Sequence, residues 1–378
     1  MSLWSEFNES TIDQWKNKVL DDFNNKLLNE FNWETEYGNI DPFIKTTKTI
    51  FNEEKIKLSQ ICWRFNQTKN LNSQILSRLE DGVNSIYINS GCEVDSIFKN
   101  VMSEIIQTHI CIDNNSSNDQ ISNWVKWINS NHNLNGSIRM DLFDIYKSEN
   151  NSIKIDNYIR RIYKNITNKN FKCIYVNGLN YNSKLNTNVN DISLIAAQLN
   201  ELVEIHKKNS LEIPKKVIIS TLLNNSFLEN ISKIKVIRSI INQILNVHEL
   251  NAKIIIETAI NPMTIVNKEL DFRILSITSS IMSAIIGGTD ICQLNDSMIE
   301  SKEDYWKKII TNIPLILLEE SCINISDDVV KGSHVIEQIT SKMAEKSWAL
   351  FKEIENKGGI LNCFNQNDIP IFNSKINE

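Results

Sequence analysis

Apolar residues follow two alternating patterns from Ser59 onward: short continuous runs, and longer stretches with an apolar residue every third or fourth position. Runs such as Val217-Ile218-Ile219 are apolar at consecutive positions, which is typical of parallel strands covered by helices on both faces. The stretches between the runs have the spacing of amphipathic helices. We therefore predict eight strands, at residues 61–65, 83–89, 109–113, 137–143, 172–177, 217–222, 253–258 and 290–294.

Eight strands separated by helices predict an α/β fold, a closed (β/α)8 TIM barrel with right-handed crossovers. An open, doubly wound sheet is the alternative that the pattern alone leaves. We divide the chain into an N-terminal arm (1–58), the barrel (59–363) and an irregular tail (364–378). Pro314 predicts a kink in one of the two helices that close the barrel.

The arm contains one amphipathic helix, predicted over residues 11–28. The threonine that opens it and Gln14 have the spacing of a capping box. Trp15, Phe23 and Leu27 lie on its apolar stripe. That stripe must be buried against the chain's own barrel or against a partner, and the sequence leaves both possibilities open.

Composition narrows the classes of function. The chain has 40 Lys and Arg against 46 Asp and Glu, a net charge of −6. Such a chain has no general electrostatic affinity for nucleic acid or an anionic membrane, and we expect neither as a partner. No run reaches the ~18 apolar residues of a membrane span, and the first residues lack the pattern of a signal peptide. Seven widely spaced cysteines without a C-x-x-C pair indicate reduced thiols in a cytoplasmic protein.

The carboxyl ends of the strands are where a barrel carries its chemistry. The candidate residues for a substrate cleft there are Arg64, Asn177, Asn180, Glu257 and Gln293. Glu257 is the foremost candidate for a functional carboxylate because it follows an Ile-Ile-Ile run, although a pair with another barrel residue is equally expected.

Other chemistry is not supported by the pattern. Lys172, Lys216 and Lys253 lie at strand beginnings, which argues against a Schiff-base lysine over the site. For His109, inside a strand, a hydrogen-bonded core role is favoured over that of a ligand. No His-x-His, G-x-G-x-x-G or Walker motif occurs, so we expect no metal site, and the residues alone provide no complete catalytic set.

Four segments occur in one order in the last quarter of the chain: 284–290 (AIIGGTD), 312–321 (NIPLILLEES), 328–334 (DVVKGSH) and 354–359 (IENKGG). In this order they resemble the closing part of the barrel domain of methylmalonyl-coenzyme A mutases. The similarity extends over about residues 31–363. It is closer to the small, non-catalytic subunit of heterodimeric bacterial mutases.

The resemblance implies a family that isomerises methylmalonyl-coenzyme A and succinyl-coenzyme A by a radical route begun by adenosylcobalamin. In that family the coenzyme A chain threads the barrel, and a histidine in a D-x-H-x-x-G motif of a C-terminal domain binds the cobalamin. This sequence lacks that motif. Where catalytic chains have Ser-Gly-Tyr-His, it has Asn177-Gly178-Leu179-Asn180, and an asparagine does not act as an acid near neutral pH.

With these departures, the resemblance predicts a catalytically silent small subunit that pairs with a mutase large subunit. Adenosylcobalamin then belongs to the complex and is not held by this chain. Trp15, Phe23 and Leu27 are the partner-docking candidates, since in the family the arm of one subunit wraps the other. Two alternatives remain: a coenzyme A ester-binding barrel that is catalytic with a separate cobalamin-domain protein, and a small-molecule binding or regulatory protein.

Overall fold

The structure is a computed structural model. It describes residues 10–23, 28–43, 57–66, 69–112, 116–141, 159–160, 162–179, 187–265, 268–298, 304–323, 328–366 and 368–370. Two of the residues named above, Asn180 and Leu27, lie outside the described residues.

Eight parallel strands form one sheet in the order β4-β3-β2-β1-β8-β7-β6-β5. Their bounds are β1 Gln60–Arg64, β2 Ser85–Asn89, β3 Gln107–Ile112, β4 Asn135–Met140, β5 Ile174–Asn177, β6 Lys216–Leu223, β7 Lys253–Ile260 and β8 Ile291–Asn295. The first strand pairs with both the second and the last, as in a sheet curling into a ring. The two ends of the sheet approach each other, where Cys173 Sγ donates to the carbonyl oxygen of Ile138 at 3.3 Å. The predicted (β/α)8 barrel is confirmed, nearly closed, and the open sheet is wrong.

The helices alternate with the strands. Their bounds are α1 Ile12–Asp22, α2 Leu71–Glu80, α3 Val94–Ile97, α4 Asn118–Ser130, α5 Asn188–Lys208, α6 Phe227–Val247, α7 Leu270–Gly287, α8 Asp304–Leu315, α9 His334–Asn356 and α10 Gly359–Gln366.

Helix ends follow local chemistry. The predicted capping box is confirmed: Thr11 Oγ1 accepts from the Gln14 amide at 3.2 Å, and Gln14 Oε1 accepts from the Thr11 amide at 2.8 Å. Pro314 lies one residue before the end of α8, and a wider π-helical turn follows at Ile316–Glu320. The apolar spacing after β2 extends to residue 105, yet α3 is a single turn, and Asn100 beyond it takes a left-handed conformation that a helix does not continue. A further short helix, Gly359–Gln366, follows α9 and was not predicted from the pattern.

Alternate strand residues face opposite sides. Outward residues such as Ile110, Ile219 and Ile256 join the large apolar core under the helices. Inward residues form a separate small cluster inside the ring: Cys62, Tyr87, Cys173, Tyr175, Ile218, Ile255 and Ile291. The interior of the barrel is therefore filled with side chains.

Helix α7 is long and apolar enough to cross a membrane by length and composition alone. Within the fold it lies beside α6 and α8, with Ile277 and Ile281 fully buried. A core helix of a barrel has the same composition, so this single helix is weak support for a membrane span.

The N-terminal arm differs along its length. No residue of α1 is buried, and Trp15 and Phe23 are 46% and 50% exposed. Each makes one edge-to-face contact with another arm residue, Trp15 with Phe43 and Phe23 with Phe31. By contrast, Tyr37 is buried, and its hydroxyl donates to Glu229 Oε1 at 3.0 Å at the start of α6. The arm is thus anchored near Tyr37, while most of the apolar stripe of α1 stays uncovered.

Candidate functional site in the barrel interior

An ion pair spans the middle of the barrel. Arg139 projects inward from β4 and Glu257 from β7, and Nη1 of the arginine lies 2.6 Å from Oε2 of the glutamate. Both side chains have no exposed surface. Burial opposes the charged guanidinium, but the negative charge of Glu257 outweighs it, so the pKa of Arg139 lies above its ordinary value. Glu257 therefore serves as the partner of a permanent cation, the structural alternative that the sequence left open.

The pair belongs to a hydrogen-bonded chain that crosses the interior. Glu257 Oε2 also accepts from the hydroxyl of Ser220, which lies 3.1 Å from the hydroxyl of Tyr175. On the other side, Arg139 Nε donates to Ser137 Oγ at 3.0 Å. A charge held by several hydrogen bonds in a buried network is fixed in position.

His109 continues this chain toward the amino-terminal ends of the strands. Its Nδ1 lies 2.7 Å from Ser137 Oγ, and its Nε2 lies 2.8 Å from Gln60 Oε1, which can only accept. The proton of a neutral ring is therefore on Nε2. Burial, together with the positive charge of Arg139, lowers the pKa of His109 well below its usual value. The predicted core role of His109 is confirmed.

Aromatic rings flank the ion pair. The Arg139 guanidinium carbon lies 5.0 Å from the centre of the Tyr87 ring and 5.4 Å from that of Tyr175. The guanidinium carbon of Arg64, at the end of β1, also lies over the Tyr87 ring, 4.9 Å from its centre. All three contacts have the geometry of cation–π interactions. Arg64, predicted as a substrate-cleft candidate, thus lies beside the interior ion pair, and its observed partner is an aromatic ring.

The structure also places two further predicted residues, Asn177 and Gln293. Asn177 Nδ2 donates to Asp141 Oδ2 at 2.6 Å, and its Oδ1 accepts from the Leu179 amide at 3.0 Å. Gln293 is buried on β8, and its Oε1 has no hydrogen-bond partner among the described residues. Asn180 lies outside the described residues.

Sequence reasoning missed Arg139, the tyrosines and Ser220. A signal for Arg139 was present, because β4 carries polar residues at alternate positions, Asn135, Ser137 and Arg139, and alternate residues face one side. Tyr87 and Tyr175 gave no such signal, since an aromatic residue suits either face of a strand. Only the closure of the strands into a barrel brings these residues together.

A cavity of about 370 Å³ lies off the axis, at the carboxyl ends of β6 and β7. It is lined by asparagines, among them Asn188, Asn224 and Asn261, and by a buried ion pair in which Lys233 Nζ lies 2.7 Å from Asp191 Oδ2. Lys233 also donates to the carbonyl oxygen of Leu222 at 3.0 Å. These bonds hold α5 and α6 to the end of β6.

The ends of the eight described strands carry no histidine that would hold cobalamin. None of the eight strands ends on a histidine; their last residues are Arg64, Asn89, Ile112, Met140, Asn177, Leu223, Ile260 and Asn295. His109 has both ring nitrogens engaged inside the barrel. The ends of these strands would therefore not hold the cofactor through a histidine.

The fold and the site together define an α/β barrel whose axis is occupied by a buried ion pair and two tyrosines. A family model described as methylmalonyl-CoA mutase matches residues 80–370, more than half of the chain, and the chain belongs to this family.

Individual relatives match over shorter stretches. A methylmalonyl-CoA mutase of Cereibacter sphaeroides is 37% identical over 81 residues, 21% of this chain and 11% of that protein. The methylmalonyl-CoA mutase small subunit of Porphyromonas gingivalis is 32% identical over 89 residues (23% and 14%), and the large subunit from the same organism is 30% identical over 81 residues (21% and 11%). The matched stretches thus cover a small part of each relative, and relatives named as either subunit are similar to this chain.

Proposed function

We propose that the chain is the non-catalytic small subunit of a heterodimeric methylmalonyl-CoA mutase. A large subunit then performs the adenosylcobalamin-dependent isomerisation. The observation that carries the proposal is the Arg139–Glu257 pair across the barrel interior. If a coenzyme A chain threads the barrel, as the family resemblance implies, it needs the space that this pair and its neighbours occupy.

The packed interior is costly to open. Moving one member of a buried ion pair aside leaves the other charge unpaired, at a cost of about 3–5 kcal/mol. Tyr87 and Tyr175 are also buried against the arginine. A substrate chain that entered the axis would have to displace all of these groups, which supports a silent barrel.

Proton-handling groups are also engaged. Glu257 is paired with an arginine, Asp141 accepts a hydrogen bond from Asn177, and His109 has a lowered pKa and two hydrogen-bond partners. In addition, the sequence has Asn180 where catalytic chains have a histidine. Both observations support a subunit without acid–base chemistry of its own.

The exposed stripe of α1 supports a docking role. Trp15 and Phe23 keep about half of their surface, although α1 is capped and helical. Large aromatic residues that are exposed on an amphipathic helix are typical of interaction surfaces. In the proposed complex these two residues pack on the large subunit.

Purification of the chain with a mutase large subunit tests this proposal. We expect light scattering to give the mass of a one-to-one complex. The double variant Trp15→Ala/Phe23→Ala should weaken it by at least tenfold in Kd, because such residues dominate interface energies. Tyr305→Ala, which removes a 65% exposed aromatic residue of α8, is the matched control and should leave the Kd unchanged. No complex, or an equal loss in both variants, would overturn the docking model.

A second experiment separates the proposal from the catalytic alternative. The chain is mixed with a separate cobalamin-domain protein and adenosylcobalamin, without a large subunit. We expect no isomerisation of methylmalonyl-CoA. Turnover in this mixture, abolished by Glu257→Gln in a protein that remains folded, would favour the alternative and contradict the silent subunit.

A further inference from the structure

The segment that anchors the N-terminal arm brings a partly buried carboxyl group to the start of a barrel helix. Glu36 Oε1 accepts from the Val189 amide at 3.1 Å, in the first turn of α5. The first amides of a helix have no partner within the helix. The residue before α5, Thr187, bonds with its hydroxyl to the Asn190 amide at 3.1 Å and leaves the Val189 amide to the arm. The arm therefore completes the start of α5.

A second carboxylate lies close to the first. Tyr37, the next residue of the arm, is buried and donates its hydroxyl to Glu229 Oε1 at 3.0 Å, in the first turn of α6. Burial raises the pKa of both Glu36 and Tyr37, and the negative charge of Glu229 adds to this effect. The contact between arm and barrel thus places one carboxylate on each side, and the two repel each other when both are ionised.

The nearby positive charge is already engaged. Lys233 on α6 acts on Glu36 in the opposite direction from Glu229, but its Nζ is bonded to Asp191 Oδ2 on α5 at 2.7 Å. Among the residues that the structure describes, neither Glu36 nor Glu229 forms an ion pair. An ionised Glu36 is therefore not neutralised where it lies.

The remaining charged groups around the segment are directed elsewhere. Lys342 on α9 reaches the arm and donates from Nζ to the carbonyl oxygen of Asn39. Asp41 accepts from the amide of Phe43 at 2.8 Å, within the arm itself. Glu34 is exposed to solvent. The charge state of the contact with α5 and α6 thus depends chiefly on Glu36.

The effect of pH on the anchor follows from this environment. The pKa of Glu36 rises from 4.5 to about 7, mainly because of burial. The anchored segment therefore holds a proton that the released segment gives up between about pH 4.5 and 7. Anchoring is strongest below pH 4.5 and weakens as the pH rises to about 7. Between pH 6 and 8 its equilibrium constant should fall by about tenfold.

We propose that residues 33–43 form a proton-dependent latch, which holds the N-terminal arm on α5 and α6 when Glu36 is protonated and releases it when Glu36 is ionised. The geometry that carries the proposal is the pair of neighbouring carboxylates at the contact, Glu36 from the arm and Glu229 from the barrel. Helix α1 belongs to the same arm, so the latch sets how firmly that helix is tethered. It acts within this chain and does not depend on a large subunit.

Hydrogen exchange of the purified full chain at pH 6 and 8 tests the latch, with labelling times scaled for the intrinsic exchange rate at each pH. The reporters are the amides of Trp33 and Ile40, which bond to each other's carbonyl oxygens at 3.0 and 2.8 Å, and the amide of Val189. We expect protection at all three to fall by about tenfold from pH 6 to 8. Equal protection at the two pH values would overturn the latch.

Addition of urea below the unfolding transition separates release of the arm from unfolding of the barrel. Release of a short segment exposes little surface, so exchange at Val189 should respond weakly to urea. Exchange at Ile219, buried in β6, requires unfolding of the barrel and should respond strongly. An equally steep response at the two amides would mean that the segment opens only with the barrel, and would overturn the latch.

Substitution of Glu36 identifies the group that titrates. Glu36→Gln places a neutral side chain of the same shape at the start of α5, so the reporter amides should be as well protected at pH 8 as at pH 6. Glu34→Gln changes an exposed carboxylate of the same segment, and this matched control should keep the tenfold fall. A fall that persists in Glu36→Gln would overturn the latch.

A second variant tests the neighbouring carboxylate. Glu229→Gln keeps an acceptor for the Tyr37 hydroxyl and removes the negative charge. Over pH 5 to 9, the midpoint of the fall at Val189 should move to lower pH, because one cause of the raised pKa of Glu36 is gone. A midpoint at the same or a higher pH would overturn the proposed pair. No large subunit is present in these measurements, so failure of the latch is distinguishable from failure of the proposed function.

Discussion

Arg139 on β4 and Glu257 on β7 are joined at 2.6 Å across the barrel, although 118 positions separate them in the chain. Strands four and seven are three places apart in a ring of eight, so the bond is a chord of the ring and not a contact between neighbours. It links two parts of the sheet that have no ladder in common. The same bond that fills the axis also braces the barrel.

Breaking this pair on one side should destabilise the protein strongly. Glu257→Leu leaves the Arg139 guanidinium buried without its partner, and we expect a loss of about 3–5 kcal/mol in the free energy of unfolding, measured in urea. Arg139→Met/Glu257→Leu removes both charges and should recover most of that loss. A loss below about 1 kcal/mol for the single variant would show that the pair does not brace the barrel.

The pH dependence of stability should report Glu36. Its Oε1 accepts from the Val189 amide at 3.1 Å, at the start of α5, and burial raises its pKa to about 7, with a smaller effect of Glu229. The folded chain therefore binds a proton between about pH 4.5 and 7 that the unfolded chain has released. The stability from this group is present below pH 4.5 and is lost as the pH rises to about 7.

Glu36→Gln should remove that part of the decline. Thermal unfolding from pH 4 to 8 should give a flatter profile for the variant than for the wild type, with the variant gaining relative stability toward pH 7. Glu34→Gln changes an exposed carboxylate of the same segment and should follow the wild-type profile. Superimposable profiles for Glu36→Gln and the wild type would contradict the assignment.

A glycine on β4 marks a close approach of two strands. A Cβ at Gly136 would lie 1.8 Å from the carbonyl oxygen of Thr108 on β3, and backbone atoms have little room to move. Gly136→Ala should destabilise the protein by about 3 kcal/mol or more. Gly91→Ala, whose added atom meets nothing closer than 4.0 Å, should unfold within a few degrees of the wild type. Equal melting temperatures for the two variants would contradict the close approach.

The strands could be predicted from the sequence because the pattern of apolar residues that indicates them is local. Runs such as 217–219 are buried on both faces, and all eight predicted strands occur where the pattern placed them. The end of α3 was harder to predict from the sequence. The helical spacing of apolar residues continues beyond it, but Asn100 takes a left-handed backbone conformation that a helix does not continue.

The site was predicted only in part. Glu257 was identified from its position after three isoleucines, but its partner is fixed by the closure of the ring, which no local pattern encodes. The same holds for a cavity at the amino-terminal ends of the strands: Lys172, Lys216 and Lys253 were recognised at the beginnings of strands, and only the closed barrel brings them around one cavity. Contacts across the barrel depend on the order and register of the strands, so they can be identified only once the fold is known.

The turnover of a reconstituted complex bears most directly on the silent role of this barrel. Methylmalonyl-CoA isomerisation is measured with a mutase large subunit and adenosylcobalamin, with this chain supplied as wild type or as Arg139→Met/Glu257→Leu. Light scattering confirms an intact heterodimer in each case. We expect the same kcat within about twofold, since the interior of this barrel takes no part in turnover. A kcat reduced by tenfold or more in an intact heterodimer would show that this chain takes part in the reaction.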